Sequence, residues 1–162
     1  MEIRHATGED AESIESVAET SWEHEYPDVL SREAAVEGAN EWYAEGRMAS
    51  ELSQSDAVVL VAEREGAVVG FTHAAWSGDE GDVMRVYVDP NHRGEGVGSA
   101  LLETAVATLF ERDVDRVRAM VLAENDPGKA FYRSHGFEPE EGSHETVIAG
   151  ERFEESAYVL ER

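Results

Sequence analysis

The chain has 162 residues, the size of one domain, and 41% of them are hydrophobic, enough for a core and too many for a disordered segment. Lys and Arg number 13 against 36 Asp and Glu, so the net charge is −23, which repels nucleic-acid phosphates and anionic lipid. Cysteine is absent, which excludes disulfides, thiolate metal sites and a cysteine nucleophile, and fits a reducing cytoplasm.

Met1–His5 has neither a basic start nor an apolar run, so no signal peptide is expected. Glu2–Ala6 predicts a short strand. From Thr7 a helical pattern follows, with Ile14, Val17, Ala18 and Trp22 on one face, and Pro27 interrupts it. A second helix is expected from an N-cap at Ser31 to about Gly46. Ala57–Ala62, the longest apolar run, predicts a buried strand and is far too short to cross a bilayer. Glu65-Gly66 turns into an antiparallel partner, Ala67–Trp76. Ser77–Gly81 reads as a polar loop and Asp82–Val88 as the next strand. A helix with core residues Leu101, Leu102, Ala105, Val106 and Leu109 follows a glycine-rich stretch. Arg116–Leu122 alternates as a strand. Asp126-Pro127 predicts an N-cap with Pro at the first helical position, and Gly136 the end of that helix. Ser143–Leu160 predicts a hairpin turning near Gly150. The order β-α-α-β-β-β-α-β-α-β-β describes a single α/β or α+β domain over residues 1–162, with a mixed sheet of about seven strands and about four helices.

The stretch Arg93-Gly94-Glu95-Gly96-Val97-Gly98 carries the chemical signal. A strand that runs through a glycine-rich turn into a helix offers several backbone N–H groups at one point, with the helix dipole behind them, and so binds an anion. A Walker loop fails, because Gly98 is followed by Ser99 rather than Lys. A G-x-G-x-x-G fingerprint fails as well: from Gly94 the third glycine falls on Ser99, and from Gly96 on Leu101. Arg-x-x-Gly-x-Gly is met by Arg93, Gly96 and Gly98.

Val86 to Leu102, with this loop at its centre, resembles the acetyl-coenzyme A loop of the GNAT acetyltransferase superfamily. A second block, Asn125, then Ala130-Phe131-Tyr132, then Gly136-Phe137, resembles that family's "N…A…Y…GF" segment, in the family's order and spacing. The resemblance implies a mostly antiparallel sheet in which a parallel pair splays at the cofactor site. It implies that the N–H groups of Glu95, Gly96, Val97, Gly98 and Ser99 hold a diphosphate, with Arg93 and Gly94 opening the loop. Main-chain groups along Val86, Tyr87 and Val88 would pair with the pantetheine arm, Asn125 would bind or orient that arm, and Tyr132 would face the sulfur. Acetyl-CoA is thus the expected cofactor, and the expected activity is N-acetyl transfer to a primary amine on a small molecule or peptide, by direct attack in a ternary complex. Dimers are common in the family, which makes a homodimer an expected partner state. The alternative is a module that senses acyl-CoA without turnover.

Acyl transfer from a thioester needs a neutral amine, a stabilised oxyanion and a protonated thiolate. A thiol has a pKa of about 8.5 and a phenol about 10, so Tyr132 suits the acid. A main-chain N–H of the Asp82–Val88 strand suits the oxyanion. For the base, Asp82 begins the strand that carries the loop, where the family more often has Glu. His73 on the neighbouring strand and Glu23 and His24 at the end of the first helix are further candidates. Among so many acids any one is more often a solvated surface group. Trp22, Glu23 and Tyr26, with Trp42 and Tyr43, are expected to line an acceptor pocket, although aromatic residues at helical spacing are more often core. The six His are scattered without metal-ligand spacing, so no metal is expected. The acids are spread along the whole chain and form no tail. That pattern reads as adaptation to molar salt, where the Debye length is about 3 Å and self-repulsion is screened.

Overall fold

The computed structural model describes residues 1–25, 56–123, 125–148 and 150–162. The expected helix from Ser31 to Gly46, and with it Tyr26, Trp42 and Tyr43, lies outside the described residues. Within them the strands are β1 Glu2–His5, β2 Ala57–Arg64, β3 Ala67–Ser77, β4 Glu80–Val88, β5 Arg116–Leu122, β6 Glu138–Pro139, β7 His144–Ile148 and β8 Glu151–Glu161. The helices are α1 Ala11–Glu25, α2 Val97–Glu111 and α3 Asp126–Ser134, so three are found among the described residues where about four are expected. One sheet of eight strands runs β1-β2-β3-β4-β5-β8-β6, with β7 on β8. All neighbours are antiparallel except β4 and β5.

Both faces of the sheet centre are covered, which explains the unbroken apolar run of β2. Val58, Leu60 and Ala62 join Leu101, Leu102, Ala105 and Leu109 of α2 in the main core. Val59, Val61 and Phe71 alternate with them and are buried on the other face, where α1 packs on β3 and β4 and buries Ile14, Val17 and Ala18. Each fully buried Leu on α2 stabilises the fold by about 1.5–3 kcal/mol. Beside this core, Arg4 binds the carboxylates of Asp10 at 2.8 Å and Glu63 at 2.8 Å, tying β1, the turn before α1 and β2 together.

Two expectations are corrected. Ser77–Gly81 is not a loop: β3 extends to Ser77, β4 begins at Glu80, and only Gly78 and Asp79 turn between them. Gly81 is a strand residue with a packing role, because a Cβ there would lie 3.1 Å from Cδ1 of Leu109. The N-cap of α3 is Asn125 rather than Asp126, with Pro127 in the first turn; the Asn125 Oδ1 accepts from the Gly128 N–H at 3.0 Å. The eighth strand, the two-residue β6, is too short to leave a periodic signal. The hairpin about Gly150 and the helix end at Gly136 are found where expected.

Candidate active site

β4 and β5 touch over three residue pairs, Glu80 with Arg116, Gly81 with Val117 and Asp82 with Arg118, and then part. Two features open them. Across β3, His73 pairs with Arg85 and Ala74 with Val83, so Met84 is an extra residue in a β-bulge, and a bulge bends its strand. From Arg116 to Leu122, β5 is also held by β8 on its other edge and follows that strand instead. Between the parted strands lies a cleft of about 490 Å³. Met84–Val88 line one side and Met120–Leu122 the other, with Asn125 and Tyr132 of the α3 segment and the glycine loop closing it.

The glycine loop ends at Gly96, the N-cap of α2, whose φ of 82° lies in the left-handed region that suits glycine. Ala100 N–H to Gly96 O at 3.1 Å is the first helical bond, so the N–H groups of Val97, Gly98 and Ser99 have no acceptor within the helix. In a chain this acidic, the first turn of α2 carries no acid, and the positive end of its dipole faces the cleft undimmed. Glu95 is the one carboxylate in the loop; it is ion-paired with Arg64 Nη1 and lies 3.3 Å from His92 Nδ1. Sequence reasoning missed Arg64; its place at the end of β2, 31 positions from Glu95, gives no local signal. Ser99 Oγ lies 3.0 Å from His135 Nε2, which joins the first turn of α2 to the end of α3.

Tyr132 is 9% exposed and packs edge-on between Phe131 and Phe137, with ring centroids 5.2 and 5.3 Å away. Burial first, and then the neighbouring Tyr87, push its phenol above the ordinary value, so it stays protonated at neutral pH. Val86, Tyr87, Val88, Arg93, Gly94, Gly96, Val97, Gly98, Ser99 and Asn125 share the cleft with it, as the sequence reading groups them. The Val88 carbonyl also accepts from the buried Ser21 hydroxyl of α1 at 3.1 Å, which fixes α1 against the end of β4.

Two of the base candidates, Asp82 and His73, lie off the cleft lining. Asp82 is ion-paired with Arg118 Nε at 2.9 Å, at the closed end of the strand pair. His73 is 2% exposed, and its Nδ1 lies 2.9 Å from Arg85 Nη1. A guanidinium only donates, so that ring nitrogen is the acceptor and is not available to take a proton from an amine. Trp22 and Glu23 lie on α1, and their side chains are outside the described residues. A carboxylate that sequence reasoning missed, Glu155 of β8, does line the cleft.

Parted strands with open main-chain groups, leading to a helix amino-terminus, define a binder of an extended ligand that ends in phosphate, with a buried phenol beside it. Comparison with known proteins gives that class its chemistry. Residues 55–139 match the acetyltransferase (GNAT) domain. The spermidine N(1)-acetyltransferase of Thermoplasma acidophilum is 25% identical over 95% of this chain and 98% of its own. The mycothiol acetyltransferase of Thermobispora bispora is 39% identical over 48% of this chain and 29% of its own. The crystal structure of the PaiA N-acetyltransferase from Thermoplasma acidophilum in complex with coenzyme A superposes with a TM-score of 0.87, at 24% identity, over 99% of this chain and 98% of that one. The chain belongs to the GNAT family of acetyltransferases. It is an N-acetyltransferase that moves an acetyl group from acetyl-CoA to an amine.

Proposed function

We propose that Tyr132 is the acid that protonates the leaving thiolate, that the loop from Arg93 to Ser99 holds the coenzyme's diphosphate, and that the acceptor is a small aliphatic amine. The observation that carries this reading is the buried, protonated Tyr132 in one cleft with the amino-terminus of α2. The residues fit the coenzyme. The first-turn N–H groups of α2 offer a diphosphate three donors without helical acceptors, and nothing lies within 4 Å of where a Cβ at Gly94 or Gly96 would stand. The parted edge of β4 from Val86 to Val88 offers main-chain groups to an arm lying along it, and Asn125, with one amide oxygen on Gly128, borders the same path.

When bound, the thioester supplies the acetyl group and a leaving thiolate. The bulge at Met84 interrupts the ladder between β4 and β3, and a main-chain N–H of β4 beside it would stabilise the oxyanion once the thioester is bound. Tyr132 donates its proton as the carbon–sulfur bond breaks. A phenol held above its ordinary value is a weaker acid than the thiol, so its contribution is a proton transferred late, or a hydrogen bond to the sulfur, rather than early protonation. With no cysteine in the chain, the amine attacks directly while both substrates are bound.

The acceptor class is supported by the likeness of nearly the whole chain to a spermidine acetyltransferase and by the open face of the cleft. There Met84 is 50% and Met120 37% exposed, an apolar floor for methylene groups. The net charge of −23 belongs to a salt-adapted cytoplasmic enzyme, so coenzyme A binds more tightly as salt rises from low to molar. The test is thiol release from acetyl-CoA with an amine panel in molar KCl, with spermidine and a peptide amino-terminus as the two extremes. Turnover of spermidine well above the peptide is expected; preference for the peptide contradicts the acceptor class.

A further inference from the structure

We propose that Glu155 is the general base that takes a proton from the acceptor ammonium, an inference that rests on the reading of Tyr132 as the acid in the same cleft. Glu155 lines that cleft together with Met120, Leu122 and Tyr132. It stands on an inner strand: its backbone pairs with Leu122 of β5 on one edge and His144 of β7 on the other, so its position relative to the parted strands is fixed from both sides. A group on paired strands is held more precisely than one on a loop. Because cross-strand partners share a face, Glu155, Leu122 and Met120 point to the open side of the sheet, the side on which Met84 and Met120 are exposed.

Glu155 differs from the other candidates in what surrounds it. Among the described residues its carboxylate accepts no hydrogen bond and closes no ion pair, whereas Asp82 is bound by Arg118 and the His73 ring faces Arg85. His144 on β7 and Arg118 on β5 act on its carboxyl, and Arg85 and Tyr87 on β4, His92 and Arg93 of the glycine loop and Tyr132 on α3 share the cleft lining with it. Half-burial raises its carboxyl above the ordinary range, outweighing His144 and Arg118, which lower it. A more basic carboxylate in a partly dry cleft is the better acceptor for an ammonium proton.

The protons balance. One N–H bond of the ammonium breaks toward Glu155, and the freed lone pair forms the bond to the thioester carbon. The carbon–sulfur bond breaks, and the sulfur takes the proton of Tyr132. The second proton lost by the nitrogen restores the phenol, and Glu155 releases its proton to solvent, one for each amide formed.

The experiment compares wild type, Glu155→Gln and Glu155→Asp as full chains, with spermidine in molar KCl from pH 6 to 9, alongside coenzyme A affinity by calorimetry. Without the base only neutral amine reacts, and an alkyl ammonium has a pKa of about 10. Glu155→Gln is expected to lose about 10²-fold or more in kcat/KM at pH 7, and its residual rate to climb tenfold per pH unit while wild type levels off. Coenzyme A affinity stays unchanged, and Glu155→Asp keeps the plateau at a lower height. Wild-type rates in Glu155→Gln, or a loss by one constant factor at every pH, would overturn the proposal. Either result leaves the Tyr132 reading intact, which Tyr132→Phe tests separately. No turnover by wild type with any amine of the panel overturns both.

Discussion

The two ends of the β4–β5 pair carry different chemistry on the same two strands. At the closed end, Arg116 and Arg118 meet Glu80 and Asp82 across parallel strands at 2.9 to 3.7 Å, and Gly81 lets Leu109 of α2 sit directly beneath. At the open end no charge pairs join the strands among the described residues; Met84 bulges, Met120 faces the gap, and Tyr132 and the amino-terminus of α2 close it. The closed end serves stability and fixes the angle of the splay. The open end spends ladder hydrogen bonds to leave main-chain groups for a ligand. Substitutions at the two ends should therefore move different observables.

The largest effect is expected at the open end. Tyr132→Phe should lower kcat by about 10²-fold, with coenzyme A affinity in calorimetry within about twofold of wild type. A parallel fall in affinity would make the ring a packing residue only. Next, at the closed end, Gly81→Val drives its side chain into Leu109 and should cost about 1–3 kcal/mol of stability in denaturant melts, with coenzyme chemistry altered only through unfolding. Gly96→Val forces a branched residue to a φ of 82°, costs about 1–2 kcal/mol and misaligns the first turn of α2, so coenzyme affinity should fall with stability. Arg64→Ala frees the Glu95 carboxylate to repel the diphosphate and should weaken coenzyme A binding by about 2–5-fold, an effect that Glu95→Gln removes. The smallest change is expected for Asp82→Asn. Its pair with Arg118 is more than a third exposed, so stability should move by less than about 1 kcal/mol and kcat by less than about twofold. A large loss of activity there would return the base to Asp82.

Acid stability has a separate source. Asp10, held by Arg4 and by the Thr7 N–H, has its carboxyl lowered from 3.8 to about 2. Its stabilisation is complete above pH 3.8, where the unfolded carboxyl is also ionised, and is lost as pH falls toward 2.

What the sequence showed depended on how local the cause was. The glycine loop and α2 are written in contiguous residues, as is the alternation of β5, and they appear where expected. Gly81 reads as a loop residue because its reason, the side chain of Leu109, comes 28 positions later and from the other layer. Asn125 and Asp126 are both good caps, and only the backbone at Asn125 decides between them. Tyr132 was recognisable because it stands at fixed spacing from Asn125 and Gly136. Glu155 has no such spacing: it is one acid among 36 until the pairing of β5, β8 and β7 brings it to the cleft. The ion pair that holds Asp82 is equally invisible before β4 and β5 are set side by side.

The most direct test is a crystal structure with coenzyme A bound. The account predicts the diphosphate on the N–H groups between Glu95 and Ser99, the pantetheine arm along the free edge of β4, and the sulfur within hydrogen-bond reach of the Tyr132 hydroxyl. A coenzyme bound elsewhere, or a sulfur beyond the reach of that hydroxyl, would contradict it.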